Sequence, residues 1–172
     1  MSATANPRAV AGSSGRVAQV SISPGGVPKL PAEDAVWVSR LGLAGDGHTE
    51  PEPMHGGPEQ AVCIYSMESI ARVAADGHTA FPGAFGENLT FEGIELGSLG
   101  AGDRLAIGDH GLLIELTKHA QPCQTIALWF VDRRIARISG KTHPEDARWY
   151  ARVLREGEVR SGDRVERLAR DD

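Results

Sequence analysis

The chain has two cysteines, Cys63 and Cys123, and their surroundings differ sharply. Cys123 ends the run Thr117-Lys118-His119-Ala120-Gln121-Pro122-Cys123. The segment leaves a strongly apolar strand, turns at Pro122 and enters a predicted helix. A thiol at a helix start meets free backbone amides and the positive end of the helix dipole, which favour thiolate. Lys118 and His119 add positive charge nearby. Thiolate is both a nucleophile and a soft metal ligand, so the setting suits sulfur transfer or ligation of molybdenum, copper or zinc. A buried structural cysteine is the other reading of these residues, and the local sequence leaves both open. Cys63 sits inside Ala61-Val62-Cys63-Ile64-Tyr65 and reads as a small buried hydrophobe with a raised pKa. The two cysteines lack the C-x-x-C spacing of a zinc site, and a cytosolic chain of this size does not need them as a bridge.

Two further segments carry polar groups suited to a site. In His55-Gly56-Gly57 the adjacent glycines can form a plain turn, or a backbone nest whose amides hold an anion. His55 has the chemistry of a base, a ligand or a donor, and His48 lies in the same irregular stretch. In Phe85-Gly86-Glu87-Asn88-Leu89-Thr90, the two polar side chains can close a tight turn or reach a ligand at the rim of a β-structure. Four Gly-Asp pairs begin at Gly45, Gly102, Gly108 and Gly162, and the last three read as turns.

Mostly strands must position these residues. Strands are predicted over Arg16–Ser23, Ala35–Val38, Ala61–Tyr65, Asn88–Phe91, Arg104–Ile107, Leu112–Thr117 and Val165–Leu168. Ser66 is placed to cap a helix over Met67–Ala75, with Ile70, Val73 and Ala74 at helical spacing. Two more helices are predicted over Ile126–Ile138 and Pro144–Leu154. The stretches Gly42–Pro58 and Phe81–Glu87 read as irregular loops of the kind that carry function. Short strands with Gly-Asp turns predict a mainly β (α+β) fold, a barrel or sandwich with peripheral helices.

The 172 residues fit one domain, 16–170, behind a disordered leader over 1–15. A net charge of −5 gives no field that would recruit nucleic acid or an anionic membrane. No apolar run is long enough to cross a bilayer and no secretory signal stands at the start, so the expected location is cytoplasmic.

The motifs also occur in a telling order. Leu43-Ala44-Gly45-Asp46 is followed by His55-Gly56-Gly57-Pro58-Glu59-Gln60-Ala61-Val62, and then by Gly83-Ala84-Phe85-Gly86-Glu87-Asn88-Leu89. Gly102-Asp103-Arg104-Leu105-Ala106-Ile107-Gly108, Pro122-Cys123 and the tail from Arg148 to Val165 complete the series. Together they resemble the MOSC domain, named for the C-terminal domain of molybdenum cofactor sulfurases, in its stand-alone bacterial form. The resemblance spans Val17 to Leu168. It implies a β-barrel with peripheral helices, and makes Cys123 the family's cysteine, the candidate molybdenum ligand and catalytic residue. It further implies a molybdenum cofactor (molybdopterin), with His55, Gly56, Gly57, Glu87, Asn88, Lys118 and His119 near it.

The implied activity is reduction of small N-hydroxylated compounds, with electrons from a donor protein, because the chain shows no flavin fingerprint and no iron–sulfur cysteine set. The alternatives are a non-redox carrier of sulfur, as a Cys123 persulfide fed by a sulfur donor, or of the cofactor itself, and a MOSC scaffold without cofactor. Pyridoxal phosphate is not expected, because it belongs to the fused sulfurase domain of larger members. Gly47, Ala120 and Thr125 stand where many relatives are basic, which removes cations that a pterin phosphate needs.

Overall fold

The computed structural model describes residues 9–47 and 56–170. Its centre is a closed barrel of seven strands. In chain order these are β1 (Ala9–Ile22), β5 (Val62–Ser66), β6 (Leu89–Glu92), β7 (Arg104–Ile107), β8 (Leu112–His119), β9 (Trp149–Arg155) and β11 (Arg164–Leu168). Around the barrel the order is β1-β6-β5-β9-β8-β7-β11, and β11 pairs back onto β1. Closure leaves no open edge in this part of the sheet. β2 (Leu30–Pro31) adds to β1 outside the barrel, while β3 (Val36–Ser39), β4 (Gly42–Leu43) and β10 (Gly157–Val159) form a small second sheet.

The barrel pairs are antiparallel except β5 with β6. A parallel pair needs a crossover, and helix α1 (Met67–Ala75) supplies it. Ser66 ends β5 and caps the helix, its side chain accepting from the Ser69 amide at 3.1 Å. Ile70 and Val73 turn inward from α1, and burying each is worth roughly 2 kcal/mol. The core is lined by alternate strand residues such as Leu105 and Ile107 on β7, and Leu112, Ile114 and Leu116 on β8.

Several expectations are met closely: α1 and β7 have the predicted bounds, and β5, β6, β8 and β11 lie within two residues of theirs. β1 begins at Ala9, before Arg16, so residues 9–15 of the expected leader are strand; residues 1–8 lie outside the described ones. The predicted helices near the C-terminus are corrected. Ile126–Ile138 is two 3-10 turns, Gln124–Trp129 and Ile135–Ile138, separated by Arg133 with a left-handed backbone at φ 59°. That conformation cannot continue a helix. Pro144–Leu154 is a short 3-10 turn, Pro144–Asp146, followed by β9.

Candidate functional site

β5, β8 and β9 lie side by side, and the loops around one end of them wall a cleft of about 100 Å³. Cys123 reaches it from β8. After His119 the chain is tied down by the Ala120 amide, which donates to the Arg148 carbonyl at 2.9 Å. Cys123 then stands just ahead of the 3-10 turn Gln124–Trp129, with its carbonyl accepting from the Ile126 amide at 3.2 Å. Its thiol is half-buried, opens on the cleft, and lies 2.7 Å from the Thr125 hydroxyl.

Cys63, from β5, lines the same cleft. It is buried, as the sequence implies, and burial pushes its thiol up to about 11. Its strand position is clamped by Asn88. The Cys63 amide donates to Asn88 Oδ1 at 3.1 Å, and the Asn88 amide donates to the Cys63 carbonyl at 2.8 Å. Asn88 Nδ2 donates to Asp46 Oδ2 at 2.9 Å and to the Ser21 carbonyl at 3.3 Å. Asn88 therefore faces the cleft with both amide hydrogens engaged, and its main work is to join β1, β5 and the Gly45-Asp46 turn.

Asp46 is the anchor of this corner. It accepts from the Ser23 amide at 3.0 Å and pairs with Lys29 Nζ at 2.7 Å, and both side chains of that pair are buried. Lys29 lines the cleft on a loop held against Gly83, whose carbonyl accepts from the Lys29 amide at 2.9 Å. Gly83 is required there: its φ is +89°, and a Cβ would collide with the Lys29 carbonyl oxygen.

Arg148, immediately before β9, brings a second cation to the cleft. It is buried, and Nη1 donates to the Phe85 carbonyl, while Nε has no hydrogen-bond partner. Tyr150, from β9, completes this wall; burial pushes its hydroxyl up to about 12, so it remains a donor at neutral pH.

The structure thus brings Cys123, Asn88 and Gly56 to one cleft. It places the other candidates elsewhere. Glu87 is fully buried beside the cleft wall but does not line it; Oε1 accepts from the Gly83 amide, closing the turn, and Oε2 has no partner. Burial raises its pKa above the ordinary carboxylate range. Gly57 precedes the 3-10 turn Pro58–Gln60, and like Gly56 it has φ near +80°. Lys118 is exposed on β8. His119 packs its ring on Trp149 with centroids 4.1 Å apart, and burial lowers its pKa. Neither lines the cleft. His48 and His55 lie outside the described residues.

Lys29, Arg148 and Tyr150 were not read as site residues from the sequence. Arg148 and Tyr150 fall in the segment expected to be helical, and Lys29 is one of several cations outside any motif. The three positions lacking a basic residue also have physical explanations. A Cβ on Gly47 would collide with the Pro24 carbonyl oxygen. Ala120 is fully buried and bonded to the Arg148 backbone. Thr125 uses its hydroxyl on Cys123.

Among the described residues there is no cluster of three or more His, Cys, Asp or Glu side chains that could hold a metal ion. A metal at Cys123 would therefore need ligands supplied from elsewhere, as in a pterin cofactor. One half-buried thiol and a buried guanidinium with no ion-pair partner fit such an anionic, metal-bearing group.

The MOSC domain family matches residues 51–166. The uncharacterized protein YflK of Bacillus subtilis is 31% identical over 153 residues, which are 84% of this chain and 64% of YflK. A protein from Gibberella moniliformis named a reductase is 30% identical over 139 residues, 78% of this chain and 24% of that one. This chain therefore spans less than two thirds of YflK and about a quarter of the reductase. The crystal structure of the YuaD protein of Bacillus subtilis shares the fold, with a TM-score of 0.72 and 20% identity over 91% of this chain and 97% of YuaD.

Proposed function

This chain belongs to the MOSC domain family, and on that premise we propose that its cleft holds molybdenum cofactor and reduces small N-hydroxylated compounds, with Cys123 as the protein's ligand to the metal. The family carries a molybdenum-cofactor-related role. The observation that supports the finer reading is the half-buried Cys123 thiol, opening on a cleft walled by buried cations. A soft sulfur donor in a partly dry cleft is the ligand such a metal favours.

The net reaction converts N–OH to N–H and water, consuming two electrons and two protons. When bound, the cofactor supplies the two-electron redox chemistry. The chain's residues do the rest. Cys123 holds the metal end, and Thr125 orients the sulfur through its hydroxyl. The Tyr150 hydroxyl is a hydrogen-bond donor on the cleft wall. Electrons come from a donor protein, since this chain carries only two cysteines and cannot build an iron–sulfur centre of its own. That a reductase shares this domain supports the redox reading over a carrier role.

The test is molybdenum per chain in wild type and Cys123→Ser, both made in cells that synthesise the cofactor. Reduction of an amidoxime by reduced methyl viologen is assayed alongside. Wild type is expected to retain molybdenum and turn over, and the serine variant to lose both while melting within a few degrees of wild type. Equal molybdenum in both proteins refutes Cys123 as ligand. Persulfide on wild-type Cys123 with no molybdenum assigns the carrier role instead, and neither metal nor persulfide assigns a scaffold.

A further inference from the structure

Resting on that reading of the cleft, we propose that Arg148 is its oxoanion anchor, the residue that recognises a tetrahedral phosphate-type group bound next to Cys123. Three independent observations carry this. Arg148 is only 6% exposed, yet among the described residues no carboxylate lies within ion-pair distance of it. The other buried cation of the cleft, Lys29, is neutralised by Asp46, and Arg72, Arg137, Arg167 and Arg170 are all paired with carboxylates. Second, the guanidinium is incompletely bonded, with Nη1 on the Phe85 carbonyl and Nε unpartnered. Third, the side chain lines a cleft of about 100 Å³ that also holds the Cys123 thiol.

A guanidinium cannot shed its proton, so a buried one without a counter-charge is strongly unfavourable. Buried Glu87 feels the charge of Arg148, but its carboxylate is bonded to the Gly83 amide and makes no ion pair with the guanidinium. The charge of Arg148 is therefore left for a ligand. A planar fork of N–H donors matches the edge of a phosphate or another four-oxygen anion, and two parallel hydrogen bonds fix its orientation. The Phe85 carbonyl holds one arm of the fork in place. The Arg148 carbonyl accepts from Ala120, the residue that leads into the Cys123 turn, so anion and thiol positions are set by one stretch of backbone.

Phosphate chemistry can reach this cleft as the phosphate of a bound cofactor or as a free oxoanion. The first experiment titrates cofactor-free protein with inorganic phosphate by calorimetry, for wild type, Arg148→Met and Arg148→Lys. Wild type is expected to bind one phosphate per chain. Arg148→Met is expected to bind at least tenfold more weakly, and Arg148→Lys, which keeps charge without the fork, several-fold more weakly. Absence of saturable binding in wild type, or wild-type affinity in a folded Arg148 variant, overturns the proposal. If Arg148→Met does not fold, Arg148→Lys decides in the same way. Pterin content of Arg148→Lys from cofactor-synthesising cells then separates the sources. Pterin lost together with phosphate binding assigns the anchor to the cofactor, and pterin retained assigns it to a free oxoanion. Failure of the molybdenum reading shows separately, as wild type without molybdenum, and leaves the phosphate titration intact.

Discussion

The two cysteines open on one cleft, yet their reactivities are expected to differ because Cys63 is buried and Cys123 only half-buried. The perturbation is alkylation of cofactor-free protein with iodoacetamide at pH 8. Burial pushes the Cys63 thiol to about 11, so its thiolate is about one part in a thousand at that pH. A free cysteine with pKa near 8.5 is roughly one quarter thiolate, a difference of about two hundredfold. A thiolate of higher pKa is intrinsically more nucleophilic, which returns roughly a factor of ten. The net expectation is that Cys63 reacts about twentyfold more slowly than a free cysteine, before any loss from its burial. Half-buried Cys123 is expected to be labelled first. Peptide mapping by mass spectrometry reads each site separately. Raising the pH from 8 to 10 should speed Cys63 about tenfold per unit, since its thiol titrates above that range. The charge of Arg148 opposes the rise in the Cys63 pKa, so Arg148→Met should slow Cys63 further. Cys63 alkylated as fast as Cys123 in the folded protein would refute the reasoning.

Two further outcomes are expected from the buried carboxylates. Asp46→Ala leaves buried Lys29 without a counter-charge and frees the Ser23 amide and Asn88 Nδ2, so urea unfolding should show a loss of about 3–5 kcal/mol. Asp103 is buried, which alone would raise its pKa, but hydrogen bonds from Arg170 and the Gly100 amide and the charges of Arg167 and Arg170 hold it below the ordinary carboxylate value. A depressed folded pKa stabilises above the unfolded value, near 3.9, and that stability is lost as pH falls through the folded value. Asp103→Asn should therefore cost about 2 kcal/mol at neutral pH and flatten the acid side of the stability profile, measured by urea unfolding from pH 2 to 7. An unchanged acid limb would show that Asp103 is not its source.

The fold was most legible where local and global preferences agree. Met67–Ala75 carries a capping serine, an inward stripe of Ile70 and Val73, and a Gly77 stop, so nothing competes with helix. Trp149–Arg155 reads differently. Its Ala151 and Leu154 are good helix formers, but Trp149, Ala151 and Val153 alternate inward at strand period. The segment is claimed on both sides by β5 and β8, and seven residues of tertiary pairing override a weak propensity. A helix over Ile126–Ile138 would put Leu128, Val131 and Ile135 on one face, yet Leu128 and Val131 are 72% and 73% exposed. Ile126, Ala127 and Phe130 are buried instead, because 3-10 winding shifts which residues share a face.

The site was legible through its thiol and its turns, and not through its charges. Cys123 and Asn88 are fixed by motifs whose spacing is visible along the chain. Lys118 and His119 looked like the source of positive charge because they lie close to Cys123 in sequence. Along a strand, however, nearness in sequence does not decide which surface a side chain faces. Lys118 is in solvent and His119 packs against Trp149. The cations that line the cleft with the thiol are Lys29, before β2, and Arg148, before β9, brought together by the closing of the barrel. The same closure explains why Gly47 and Ala120 carry no cation: their backbones are packed against Pro24 and Arg148, and a long side chain at either would displace the loops that carry Lys29 or Cys123. The cleft therefore keeps two positive groups while losing them at the positions where the family motifs place them. Of the two, Lys29 is answered by Asp46 from within the chain, and Arg148 is the one whose charge is left to meet a ligand.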